Sequence, residues 1–185
     1  MESINGRLKG LVLLRPRVFS DPRGWFMEAY NQIDLARIGV DVPFVQDNVS
    51  LSAKGIVRGI HLQRAPHAQG KLVRCLRGAI FDVAVDLRSG SPTFGEWESF
   101  ELSESNHCAL YIPPGFGHAF QALEEATTLY YKCTRGYSKE CEDGIRFDDA
   151  ELGIAWPHPP QGISDKDAAL APFENFHPLG PEDCA

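Results

Sequence analysis

The chain has little of what would mark a membrane, nucleic-acid or disulfide-stapled protein. No apolar run approaches the length of a bilayer-spanning helix, and the first residues lack a signal-like apolar stretch. Positive charge is scarce: 18 Lys and Arg stand against 25 Asp and Glu, a formal net charge of -7 at pH 7. That balance argues against a general binder of nucleic-acid polymers, but it leaves room for one anion pocket built from a few cations. Cysteine is limited to Cys75, Cys108, Cys133, Cys141 and Cys184, an odd number with no CxxC pair. A disulfide framework and a zinc site are therefore not expected, and reduced thiols in a cytoplasmic protein are. Repeats, low-complexity tracts and linkers are also missing. The 185 residues, 43% of them hydrophobic, predict one domain over residues 1–185 with a substantial core.

What is there is a succession of short apolar segments cut by turn signals. Asp21-Pro22-Arg23-Gly24, Arg88-Ser89-Gly90-Ser91-Pro92 and Pro113-Pro114-Gly115 are the clearest of these. Many short strands between Gly/Pro turns predict an all-β sandwich or barrel. Helix signals are weak. Gln32 to Ile38 allows two turns before Gly39, and Ser164, with Asp167 three residues on, reads as a helix N-terminus.

Strand side chains alternate faces with period two, so faces can be assigned. In Ala79 to Leu87, Phe81, Val83, Val85 and Leu87 lie on one face, and Asp82, Ala84 and Asp86 on the other. Lys71 shares a face with Val73 and Cys75. Tyr131 shares one with Leu129 and Cys133, while Thr128, Lys132 and Thr134 look out. His61 opposes Ile60 and Leu62. A lysine on an inward face is costly unless it is paired or working. Three polar groups on separate strands suggest an interior site.

Each of these residues also has a plainer reading. His61 suits a general base, since imidazole titrates near neutrality, but it fits equally a hydrogen-bonded barrel histidine. A metal at His61 would need a His-x-His pair; Gln63 stands in the second position and leaves too few ligands. Lys71 suits the stabilisation of an oxyanion, or else reaches solvent along its stem. Tyr131 is a proton donor or a core tyrosine. Arg23, Arg58, His118 and Lys166 could together clamp a diphosphate, though singly each reads as a surface charge. Asp167 could orient a histidine, or simply face a helix N-terminus.

A wider pattern surrounds these residues. The runs FSDPRGWFMEAYN, FVQDNVSLSAKGIVRGIHLQ, AQGKLVRCLRGAIFDVAVDLR, SPTFGEW, YIPPGFGHAF, LYYKCT and GIRFDDAELGIAWP follow one another between Leu13 and Leu170. In that order they resemble the dTDP-4-dehydrorhamnose 3,5-epimerase family. The resemblance implies a cupin-type jelly-roll β-barrel with short flanking helices, and epimerisation of a dTDP-4-keto-6-deoxyhexose without metal or organic cofactor. It further implies a homodimer whose partner contributes to each site. His61 then matches the family's base, Asp167 its dyad carboxylate, Lys71 its oxyanion-stabilising lysine and Tyr131 its proton donor. Nucleotide and diphosphate contacts fall on Arg23, Glu28, Gln46, Asn48, Arg58, His118, Glu142 and Lys166.

One departure from this pattern matters. Two adjacent tyrosines commonly follow the KCT run, whereas here Gly136 precedes Tyr137. Extra room at Gly136 could change the balance between C3 and C5 chemistry, so a single-site 3- or 5-epimerase stands beside the double epimerase. A non-catalytic sugar-nucleotide-binding cupin is a third possibility, but it has no need of His61, Asp167, Lys71 and Tyr131 together. The tail after Ala171 matches nothing in the pattern.

Overall fold

Period-two alternation between Gly/Pro turns folds as two facing antiparallel sheets in the computed structural model, which describes residues 1–184. The six-stranded sheet runs in the order β1 (Glu2–Asn5), β2 (Val12–Arg15), β10 (Ala109–Ile112), β7 (Lys71–Arg77), β12 (Thr127–Cys133), β5 (Gln46–Ser52). The five-stranded sheet runs β13 (Glu142–Gly144), β6 (Val57–Gln63), β11 (Phe116–Ala122), β8 (Ala79–Asp86), β9 (Trp97–Ser103). A separate hairpin, β3 (Val18–Asp21) and β4 (Gly24–Met27), turns at Pro22-Arg23. Both expected helices are present. α1 (Gln32–Arg37) is capped by Asn31, and α2 (Asp165–Ala168) by Ser164. Among the described residues no helix is long and apolar enough to cross a membrane.

Three apolar layers hold the sheets. Val73, Cys75, Ile80, Leu102, Leu110, Phe120 and Leu129 fill the space between them, with Tyr131 packed at its margin. The outer face of the six-stranded sheet, including Val12, Leu14 and Leu72, is covered by Leu35 of α1 and by Val40. On the outer face of the five-stranded sheet, Ile60, Leu62, Val83, Val85 and Leu87 are covered by Ile145, Leu152, Leu179 and partly buried Trp156, Phe173 and Phe176. The tail beyond Ala171, silent in sequence, is thus a lid on that sheet. Truncating a buried leucine in such a layer to alanine costs about 2–5 kcal/mol.

The alternation of β8 therefore has an inverted meaning. Its apolar face, Phe81, Val83 and Val85, turns outward onto the C-terminal segments, while Ile80, Asp82 and Ala84 look into the space between the sheets. Both faces are covered, so apolar character alone did not say which was interior. Thr134, expected to look out, is buried and accepts the Gly70 N–H at 2.8 Å. All five cysteines are free thiols, and Cys75 and Cys133 are buried. Burial pushes the Cys75 thiol up to about 11, as expected of an inert core sulfur.

Candidate active site

β6 delivers the first component. Its pleat sends Ile60 and Leu62 outward into the covered apolar layer and leaves His61 facing the interior. Gly59, two residues earlier, has φ +125 and passes so close to β11 that a Cβ there would lie 2.4 Å from the Ala119 Cβ. Only glycine allows this approach. The Ser164 hydroxyl accepts the Asp167 N–H at 3.1 Å and so sets the start of α2. Asp167 is thereby placed over β6, where its Oδ1 lies 2.7 Å from His61 Nε2 and its Oδ2 accepts the Gly59 N–H at 3.3 Å. Burial would raise the Asp167 carboxyl. The bonds from His61 and Gly59 outweigh it and hold the group below the usual carboxylate range. An ionised carboxylate on Nε2 requires the proton there and frees Nδ1 to accept one.

Lys71 opens β7 and turns inward. Its ammonium donates to the His61 carbonyl at 3.4 Å, and among the described residues it forms no ion pair. Burial pushes its pKa down, opposed by the nearby Cys133, Asp82 and Glu142. Tyr131, on β12, faces the same space, and burial raises its phenol, which is therefore neutral at ordinary pH. His61, Lys71 and Tyr131 all line a cavity of about 520 Å³, together with Arg58, His118, Lys166 and Asp167. The same three line an adjoining space of about 300 Å³ that also includes Gln46, Asn48, Tyr137 and Glu142. The triad is the wall common to the two spaces.

The charged residues named from sequence divide into those gathered at this cleft and those left outside it. Arg58 is held over the cavity by bonds from Nε to Ser52 Oγ (3.2 Å) and from its terminal nitrogen to the Leu51 carbonyl (3.3 Å). Glu142 and Lys166 pair with each other, and the Tyr137 hydroxyl donates to Glu142 at 2.9 Å. Burial favours a raised Glu142 pKa, but the Lys166 and Tyr137 bonds prevail and lower it. Gln46 donates to Asn48 at 3.0 Å and accepts the Tyr137 N–H at 2.9 Å. Asn48 donates in turn to the Cys133 sulfur at 3.5 Å. Arg23 is elsewhere: it sits at the β3–β4 turn with its side chain 89% exposed, paired with Asp21. Glu28, also exposed, accepts from Asn31 at 3.1 Å. Neither reaches the cleft of its own chain.

Sequence reading missed Asp82, which lies 2.7 Å from His118 Nε2, and Ser50, whose buried hydroxyl lines the cavity. No local signal identifies either one. Their positions depend on register between strands distant in sequence, and alternation left open which face of β8 is interior. Gly136 leaves open space around a would-be Cβ, while its carbonyl receives Gln63 and His67. Among the described residues no group of three His, Cys, Asp or Glu is placed to hold a metal ion.

A carboxylate-bound imidazole, an inward-facing lysine and a neutral phenol line one cavity inside a cupin-type jelly roll. Comparison with known proteins identifies the family. The profile described as dTDP-4-dehydrorhamnose 3,5-epimerase matches residues 5–175. The Methanothermobacter thermautotrophicus dTDP-4-dehydrorhamnose 3,5-epimerase is 48% identical over 154 residues, which span 83% of each chain. The Legionella pneumophila dTDP-6-deoxy-D-glucose-3,5-epimerase, solved with dTDP-4-keto-L-rhamnose, superposes with TM-score 0.91 at 40% identity, covering 95% of this chain and 94% of that one. A 3'-monoepimerase from Streptomyces bikiniensis, solved with dTDP-quinovose, gives TM-score 0.85 at 38% identity over 90% of this chain and 85% of that one. The chain belongs to the dTDP-4-dehydrorhamnose 3,5-epimerase family and is an isomerase.

Proposed function

We propose that the protein epimerises C3 and C5 of dTDP-4-dehydro-6-deoxy-D-glucose to give dTDP-4-dehydro-L-rhamnose. The observation that carries this reading is the His61–Asp167 pair lining one cleft with Lys71 and Tyr131. A ketone at C4 acidifies the hydrogens on C3 and C5, because the electrons left behind spread onto the ketone oxygen. His61 Nδ1 takes the proton, and Asp167 stabilises the imidazolium that forms. Lys71 supplies positive charge to the enolate oxygen. The Tyr131 phenol returns a proton to the carbon from the opposite side; once solvent has taken the proton from His61 and restored one to the Tyr131 phenolate, the sequence repeats at the second carbon. Each step moves only protons, so the chemistry calls for no metal or organic cofactor.

Arg58 and Lys166, at the exposed side of the cleft, suit the diphosphate; Gln46, Asn48 and Glu142 suit the nucleoside. Binding energy gathered there positions the sugar for proton transfer. Arg23 and Glu28 serve the cleft of a second copy in a homodimer. The exposed apolar residues Trp25, Phe26, Val49 and Leu51 fit such a contact. A nucleotide-activated sugar is a cytoplasmic metabolite, and five free thiols suit that compartment.

A second reading, a single-site epimerase, is favoured by the open space at Gly136 and by the likeness to a monoepimerase. Gly136→Tyr, assayed by NMR for the ratio of C3 to C5 products, separates the two. A changed ratio supports a specificity role for this position, and an unchanged ratio removes it.

A further inference from the structure

The floor of the cavity holds a second imidazole–carboxylate pair. His118 stands on β11 directly across from His61 on β6, and Asp82 approaches from β8 on the other side of β11. His118 Nε2 lies 2.7 Å from Asp82 Oδ1; the histidine side chain is 8% exposed and the aspartate 0%. The other oxygen, Oδ2, is buried and makes no hydrogen bond among the described residues. An ionised carboxylate only accepts, so the shared hydrogen belongs to His118 Nε2. His118 lines the cavity, and its Nδ1 has no partner among the described residues.

Depth separates this imidazole from the guanidinium and ammonium expected to hold phosphate. Arg58 and Lys166 are exposed, whereas His118 is buried with a carboxylate behind it. A phosphate drawn to that depth would meet the charge of Asp82. A sugar hydroxyl would instead meet a lone pair. We propose that Asp82 is a positioning residue that presents His118 to the bound sugar as a neutral acceptor, Nε2–H tied to the floor and Nδ1 open to a hydroxyl. This rests on the sugar-nucleotide reading of the same cleft. Supporting it, burial lowers the His118 pKa, Asp82 opposes the shift, and Lys71 on β7 and His61 on β6 lower it further.

Nitrogen-15 NMR of the imidazole rings in the intact, unliganded protein at pH 7 tests the tautomer without reference to activity. The expected result is a neutral His118 with its hydrogen on Nε2. An imidazolium, or a hydrogen on Nδ1, overturns the proposal, and because no variant is needed the test does not depend on a mutant folding. Asp82→Asn adds a functional readout, with dTDP as the binding probe. The dTDP affinity is expected within about twofold of the parent while turnover of the keto sugar falls about tenfold or more, and the His118 nitrogen shifts move. Affinity for dTDP that falls in step with turnover would make His118 a diphosphate contact and refute the idea. Failure of the parent protein to bind dTDP at all would instead count against the sugar-nucleotide reading, leaving the tautomer result to stand by itself.

Discussion

At the scale of single residues, the proposed base is His61 Nδ1, left open by the hydrogen that Nε2 shares with Asp167. His61→Ala should abolish proton exchange at both carbons. Asp167→Asn, which can present a donor where the carboxylate accepts, should lower turnover by about 10²–10⁴-fold with substrate binding little changed, as steady-state kinetics would show. Asp86 makes a different prediction, about stability. Its fully buried carboxylate accepts from Arg88, Ser91 and Thr93. Burial works to raise its pKa, but those bonds bring it down to about 2. A folded-state value below the ordinary one means that the stabilisation is present above the unfolded carboxylate range and disappears as pH falls toward 2. The contribution at neutral pH is about 2 kcal/mol. Urea denaturation should show Asp86→Asn less stable than the parent at pH 7, with the gap narrowing in acid. A gap independent of pH would contradict the assignment.

At the scale of elements, the site depends on how β6 and α2 meet. Ser164→Ala removes the cap that starts α2 and should cost about 1 kcal/mol, seen as a lower melting temperature, with a fall in turnover as Asp167 loosens. Gly59→Ala forces a methyl group against Ala119 and should cost about 1–3 kcal/mol in denaturation experiments. Much at this scale was legible beforehand. The Ser164 cap, the short helix before Gly39, the strand bearing His61 and the inward turn of Lys71 and Tyr131 all follow from local pattern. The interior face of β8 did not. Its apolar side is covered by residues from Ile145 to Leu179, and no local rule announces that a second apolar layer will arrive from so far along the chain. Asp82 was missed for the same reason.

At the scale of the whole molecule, the cleft collects ten of the twelve residues singled out from sequence and leaves Arg23 and Glu28 outside. Motif order identified those two, but it carries no information about which subunit they serve. If Arg23 acts across a dimer, mixing Arg23→Ala and His61→Ala subunits should create one fully equipped site in each heterodimer, recovering about a quarter of parental activity after random exchange. No recovery would place Arg23 in its own subunit's chemistry or outside catalysis. The proposed chemistry has one base and one acid exchange protons beside a C4 ketone, with one ammonium facing the enolate oxygen. The most direct measurement is to incubate the protein with dTDP-4-keto-6-deoxyglucose in D₂O, without added metal, and follow the sugar by NMR. Deuterium at both C3 and C5, absent with His61→Ala, is the predicted result; binding without exchange at either carbon would contradict it.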